Sequence, residues 1–297
     1  MMQLEKNLVY YSEQGLVSSP GEYVTLLGEL PVHIKQLCES IHQLVLIDFL
    51  PNMGFVNVPS IHLEDVQIRD IKNRLKKIVD RDDSSILAKR SFEKITLGNC
   101  RDLCLMLCSV LRHHHIPARL RSGFGTFFVP QKYHDHWVCE YWSQSENRWM
   151  RVDPWMSQIH YRKELLPPQL SEGLLQLDLN PYDVQKEYFI TGAEAWINCR
   201  EKGHDSNNYG TYEPHLKGLW FVRDNMIRDL LCLNKIEPLA WDCWGAMGRE
   251  NSSIDEDELT LLDDIAAYLV KPNLTPASLS KKLAGLKIHD AVLKSLA

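Results

Sequence analysis

The sequence predicts an α+β fold in which helices pack on an antiparallel sheet, with helical additions at both ends. Three observations carry that prediction. Apolar residues recur at helical spacing through Cys100, Leu103, Cys104, Leu107, Cys108 and Leu111, and Ile116-Pro117 stops the run. Two stretches rich in Trp, Val and Tyr, 136–142 and 149–153, flank the polar run Ser143-Gln144-Ser145-Glu146-Asn147-Arg148, as in a β-hairpin. Helical periodicity also fills 19–49 and returns after residue 254.

The 297 residues suffice for one substantial core, and the expected division is a main domain over 1–250 with a small helical segment over 251–297. A hydrophobic fraction of 44% and a charged fraction of 24% are those of an ordinary globular protein. A net charge of −6 argues against nucleic acid as the main partner. No stretch of eighteen apolar residues occurs, so no stable membrane span is expected, and MMQLEKNLVYYSEQG lacks the apolar region of a secretion signal. Eight cysteines without a C-x-x-C pair suit a reducing cytoplasm better than a disulfide framework or a zinc site.

In chain order, 19–49 is expected to be helical. Ser19-Pro20-Gly21-Glu22 marks its start, and Leu26, Leu27, Leu30, Ile34, Leu37, Cys38 and Ile41 form its apolar face. Pro51-Asn52-Met53-Gly54 reads as a turn. A second helix is expected over 64–79, with Val66, Ile68, Ile71, Leu75 and Ile78 inward and a solvated basic face at Lys72, Arg74, Lys76 and Lys77. Residues 80–97 read as a polar connection. In the next helix Asn99 is the expected N-cap, with Asp102 where a capping-box acid lies. Cys100 therefore falls in the first turn, where unpaired amides and the helix dipole favour a thiolate. Cys104 and Cys108 should behave as small buried hydrophobes. His113-His114-His115 places favourable charge at the helix C-terminus; consecutive helical residues diverge, so the three cannot chelate one metal ion.

Residues 118–129 read as a strand, with Gly123 and Gly125 as packing devices or points of close approach to a substrate backbone. Arg119 and Arg121 are expected as exposed strand arginines, with a substrate carboxylate as the alternative partner. If Trp142 faces Asn147 across a four-residue loop, His136 lies directly opposite Asp153. A shift of two in the pairing sum keeps both on one face. Cross-strand neighbours lie about 5 Å apart at Cβ, within reach of a carboxylate–imidazole hydrogen bond. Asp153 then fixes the tautomer of His136, which takes the proton of Cys100. Asp135 should point the other way, in a loop, and His134 is the rival base.

Beyond the hairpin, 154–181 is a loop-rich crossing, and 188–199 and 216–233 read as helices. Trp155, beside Asp153, is a candidate cleft wall. Trp241, Asp242 and Trp244 form an aromatic cluster that serves either as a core corner or as a substrate wall. The acidic stretch NSSIDEDE lacks the glycine and spacing of an EF-hand. The tail should form two or three small helices split at Lys271-Pro272-Asn273. Its basic amphipathic run LSKKLAGLKIHDAVLKSL is expected to pack on the main domain rather than dock a partner or a membrane surface.

The blocks GNCRDL, DHWVCEYW and RWMRVDPW resemble the transglutaminase-like superfamily, a branch of the papain-like cysteine fold with the order Cys, His, Asp. The similarity runs over about 19–247 and takes in GLWFVRDNMIRDLLCLNKIEPLAWDCWG. It implies Cys100 as nucleophile, His136 as base and then acid, and Asp153 as the orienting carboxylate. Trp137, Trp155 and Trp241 are the candidate substrate-binding residues. The implied reaction is acyl transfer on an amide-containing protein, peptide or small molecule through a thioester, with no metal or organic cofactor. Water as acceptor makes an amidase, deamidase or peptidase; an amine makes a transglutaminase. Larger transglutaminases draw an oxyanion donor from an upstream tryptophan, but here no Trp precedes Trp137, so the Cys100 amide is the one donor identified. The alternatives are an inactive binding or regulatory protein of the same fold, and redox sensing through Cys100 and Cys104.

Overall fold

Met2–Ser12 forms α1, and the segment after it departs from the single helix expected over 19–49. In the computed structural model, which describes residues 2–272 and 274–296, that segment divides into α2 (Val24–Gly28), α3 (Ile34–Leu44), β1 (Val45–Ile47) and α4 (Phe49–Asn52). Pro31 has no amide proton with which to continue α2. The fully buried Val45-Leu46-Ile47 pairs in parallel with β2 (Thr96–Gly98), so the region read as a polar connection ends in a strand. A three-residue apolar run buried on both faces has no periodicity that separates strand from helix.

The helix expected from residue 64 begins later. Ser60–Gln67 is 3-10, and α5 (Ile71–Arg81) opens at Asp70, whose side chain accepts from the Asn73 amide at 2.8 Å. Arg74 is not on a solvated face. It is buried, donates to the Leu97 carbonyl and pairs with Asp102 at 3.1 Å. Helix α6 (Cys100–His113) has its expected N-cap and capping box, and it ends ahead of Ile116-Pro117, where His115 turns left-handed (φ 59°). Strand β3 (Ala118–Gly125) stops before the Phe127-Phe128-Val129 run that was expected to extend it.

The hairpin of β4 (Tyr133–Ser143) and β5 (Arg148–Val152) forms with a corrected register. Trp142 pairs with Trp149 and Cys139 with Val152, so the loop is 144–147, one residue later than expected on each side. Asn147 adopts a left-handed conformation (φ 51°), and the Ser143 hydroxyl accepts from the Glu146 amide at 3.2 Å, which closes the loop there. His136 is therefore not directly opposite Asp153. The pairing sum moves by two, so the alternation is kept, but the ladder ends at Val152 and Asp153 caps α7 (Pro154–Tyr161). Asp135 lies within β4 rather than in a loop.

The remaining elements are α8 (Pro168–Leu175), β6 (Phe189–Thr191), α9 (Gly192–Arg200), β7 (Tyr209–Gly210), α10 (Leu219–Leu233), α11 (Glu256–Leu269), α12 (Pro276–Gly285) and α13 (His289–Leu296). Asn273, at the expected break in the tail, lies outside the described residues. The main sheet runs β5-β4-β3-β6, with β7 added in parallel to the start of β4. The architecture is α+β, as expected, and the β1–β2 pair is an additional parallel element.

The chain divides into two compact units. One comprises Tyr11–Leu120 and Val138–Val184. Its centre is α6, which packs on α2, α3, α5 and α7 and buries Leu103, Cys104, Leu107, Cys108 and Leu111. The other comprises Met1–Tyr10, Arg121–Trp137 and Gln185–Ala297. In it α9 lies along α10 so closely that a Cβ on Gly192 would stand 2.5 Å from the Met226 backbone nitrogen. Helix α11 packs on α9, and the Trp196 indole donates to Asp263 at 2.7 Å. Helix α12 packs on α10 and buries Leu279 and Leu283, the apolar face of the tail. Gly123 is a packing device, since a Cβ there would meet the Ile190 carbonyl oxygen of β6 at 2.1 Å.

Candidate active site

The start of α6 is tied down on several sides. The Asn99 side chain accepts from the Asp102 amide at 3.3 Å, and the Asp102 carboxylate accepts from the Asn99 amide at 3.1 Å, a complete capping box. The same carboxylate pairs with Arg74 at 3.1 Å and Arg101 at 2.9 Å, all three side chains being buried. Arg101 in turn donates to the Arg69 carbonyl at 2.5 Å. Gly98 makes room for this arrangement: a Cβ there would come within 2.8 Å of both Asp102 Cβ and Val45 Cγ1. Cys100 is the first residue of α6 and half-buried, whereas Cys104 and Cys108 are buried. Its position puts it at the positive end of the α6 dipole.

Asp153 is fully buried at the start of α7. Its carboxylate accepts from the Met156 amide at 2.9 Å, its own amide donates to the Pro181 carbonyl at 2.7 Å, and Pro154 follows at the first helical position. Helix α7 packs on α6. Burial, and then the charges of Cys100 and Asp153, push the Cys104 thiol well above its ordinary range, so Cys104 feels both groups and stays protonated.

The residues that hold α7 belong to no motif in the sequence. His42, fully buried on α3, lies 3.1 Å from the Pro154 carbonyl through Nε2. Burial pushes its pKa down to about 3, so the ring is neutral and donates from Nε2. Arg162 donates to the His42 carbonyl at 2.7 Å. Gln158 bridges β1, donating to the Val45 carbonyl at 2.8 Å and accepting from the Ile47 amide at 2.7 Å. One signal was present: His42 stands four residues after Cys38, on the apolar face of α3.

In the other unit, His136 is buried on β4 and meets the rings of Phe127 and Phe128 at 5.6 and 5.5 Å, both nearly edge-on. Asn225 of α10 donates to the Asp135 carboxylate at 2.7 Å and to the Gly123 carbonyl at 3.1 Å. Burial raises the Asp135 pKa against the opposing charges of Arg228 and His136. His134 is 9% exposed and stacks on Tyr212 at 4.4 Å, and both of its buried ring nitrogens lack a hydrogen-bond partner. Burial, with help from Lys132, lowers its pKa.

The other residues singled out from the sequence fall as follows. Cys100 and Asp153 belong to one compact unit and His136 to the other. Trp137 is fully buried, so it packs and offers no face to a ligand in this conformation. Trp155 is 7% exposed and sits edge-on to Phe49 at 5.6 Å, and Trp241 is 44% exposed. Arg119 and Arg121 are not exposed strand arginines. Arg119 binds Glu140 at 2.8 Å and lies over Trp149, while Arg121 makes two 2.8 Å bonds to Asp229. Their charges are already matched by remote carboxylates. Among the described residues, no group of three or more His, Cys, Asp or Glu side chains is placed to hold a metal ion, and no helix is long and apolar enough to cross a membrane.

Residues 64–154, about a third of the chain, match the transglutaminase-like superfamily, and the matched stretch contains Cys100, His136 and Asp153. No curated protein and no solved structure matches the chain.

Proposed function

Starting from the transglutaminase-like core, we propose that this protein is a cysteine-dependent acyltransferase or hydrolase that acts on an amide through a thioester. Cys100 thiolate adds to the amide carbonyl, and His136, having taken the thiol proton, returns it to the departing amine or ammonia. Asp153 fixes the imidazole tautomer and balances its charge. The backbone amide of Cys100, in the first turn of α6, is the donor assigned to the developing oxyanion. Water then enters with His136 as base and releases the acid, or an amine enters and forms a new amide. Both outcomes share the first half-reaction. A reducing, cytoplasmic setting belongs to the same proposal, because it keeps the nucleophile as a thiol.

The observation that carries this reading is the setting of Cys100. It is a half-buried thiol at the first residue of a fully capped helix, within the segment that matches the superfamily. The test is adduct capture. Wild type and Cys100→Ala are incubated with cell extract and compared by intact-protein mass spectrometry. Wild type should carry acyl adducts that hydroxylamine removes and that the variant lacks. Identical adducts on both proteins would overturn the proposal.

A further inference from the structure

The rings around His136 form a cluster that the acyl-transfer chemistry does not use. Phe127 and Phe128 lie 4.2 Å apart, and Phe128 also contacts His134 at 5.6 Å and Tyr212 at 6.5 Å. Gly125 lets both phenyl rings turn back, since a Cβ there would come within 2.9 Å of Phe128 and 3.0 Å of Phe127. The cluster opens to solvent: Tyr212 is 64% exposed although one face of its ring is stacked on His134, and the phenylalanines are half-buried.

His134 is the second, independent observation. Its two ring nitrogens are buried and without a partner, a state that few buried polar groups keep in folded proteins. A side chain that only filled space among aromatics would be apolar. A few polar groups set among aromatic walls is the composition of a binding site. The lowered pKa keeps the ring neutral, so it offers one N–H donor and one acceptor. That pair complements a backbone amide, which carries one of each, rather than a carboxylate.

We infer that Phe127, Phe128 and Tyr212, with His134 stacked on Tyr212, form a specificity subsite for an aromatic side chain next to the reacting carbonyl of a peptidic substrate. His134 hydrogen-bonds the adjoining backbone amide. The inference rests on the reading of His136 as the base for Cys100.

The test uses the full chain and three thiol reagents: iodoacetamide, acetyl-glycyl chloromethyl ketone and acetyl-phenylalanyl chloromethyl ketone. With each ketone, Cys100 sulfur bonds to the methylene carbon, chloride leaves with the C–Cl electron pair, and the thiol proton passes to His136. Rates are followed by intact mass, and the modified residue is identified by peptide mapping. The phenylalanyl reagent should label Cys100 roughly tenfold faster than the glycyl one, and Tyr212→Ala should cut that ratio by roughly threefold, in keeping with the energy of one aromatic pair. Phe128→Leu should reduce the ratio as well. His134→Phe, which keeps the stacked ring and removes its nitrogens, should slow both ketones alike. Selective iodoacetamide labelling of Cys100 with equal rates for the two ketones would overturn the subsite and leave the acyl-transfer reading standing. Failure of all three reagents to select Cys100 would overturn that reading, and the subsite with it.

Discussion

Replacing Asp102 by alanine should be far more costly than an ordinary capping mutation. Its carboxylate does two things at once: it closes the capping box on the Asn99 amide, and it is the counter-charge of Arg74 and Arg101 in a buried cluster. Loss of the box alone is worth about 1 kcal/mol. Stripping a buried cation of its partner costs about 3–5 kcal/mol. Part of that is recovered here, because Arg74 keeps the Leu97 carbonyl and Arg101 keeps the Arg69 carbonyl. The net expectation is about 3–5 kcal/mol, against about 1 kcal/mol for Asn99→Ala, which removes only the cap. Urea unfolding followed by far-UV circular dichroism measures both, and the corresponding falls in Tm are about 6–20 °C and 2–4 °C. If the two variants lose equal stability, the buried ions contribute nothing at the start of α6, and the account of how Cys100 is positioned is wrong.

Asp48, which follows β1, has its pKa pushed up to about 7 by burial and then by the charge of Asp102. The folded protein therefore binds this proton more tightly than the unfolded chain. The stabilisation it lends is full below about pH 4 and is lost as pH rises to about 7, with a slope approaching about 1.4 kcal/mol per pH unit that Asp48→Asn should abolish in a stability–pH series. His42 runs the other way. With its pKa down at about 3, its contribution is present above about pH 6.5 and is lost as pH falls toward 3, so His42→Gln should flatten the acid limb of the same profile. Gly192→Ala sets a methyl against the α10 backbone and should cost about 2–3 kcal/mol in urea titration; a neutral result would mean that α9 and α10 are further apart than described. Trp196→Phe removes the bond to Asp263 and should raise amide exchange across Glu256–Leu269, for a loss of about 1–3 kcal/mol; unchanged exchange would show that the indole does not anchor α11.

The best-read element was α6. Its N-cap, its capping-box acid and its core cysteines all lie within one short stretch, and each acts on its immediate neighbours, whereas the helix ends at His113, ahead of Ile116-Pro117. The hairpin was legible as a hairpin, but its register was not, because one left-handed residue, Asn147, decides where the loop closes. Strands β1 and β2 were missed because three residues carry no measurable alternation and their partners are some fifty residues apart.

By itself the sequence determined what depends on local chemistry: the capped helix that opens with Cys100, the alternation of the strands bearing His136 and leading to Asp153, and the apolar face of the tail. Only the tertiary structure decided the environment of the charged and polar side chains. Arg74, Arg119 and Arg121 read as solvent-facing until Asp102, Glu140 and Asp229 stood beside them, and His134 gave no sign of its unpartnered nitrogens. The reason is range. Helix caps and side-chain periodicity are satisfied within a few residues along the chain, whereas burial and ion pairing are set by groups as much as 108 residues away, as for Arg121 and Asp229, and no local pattern encodes which of them will meet.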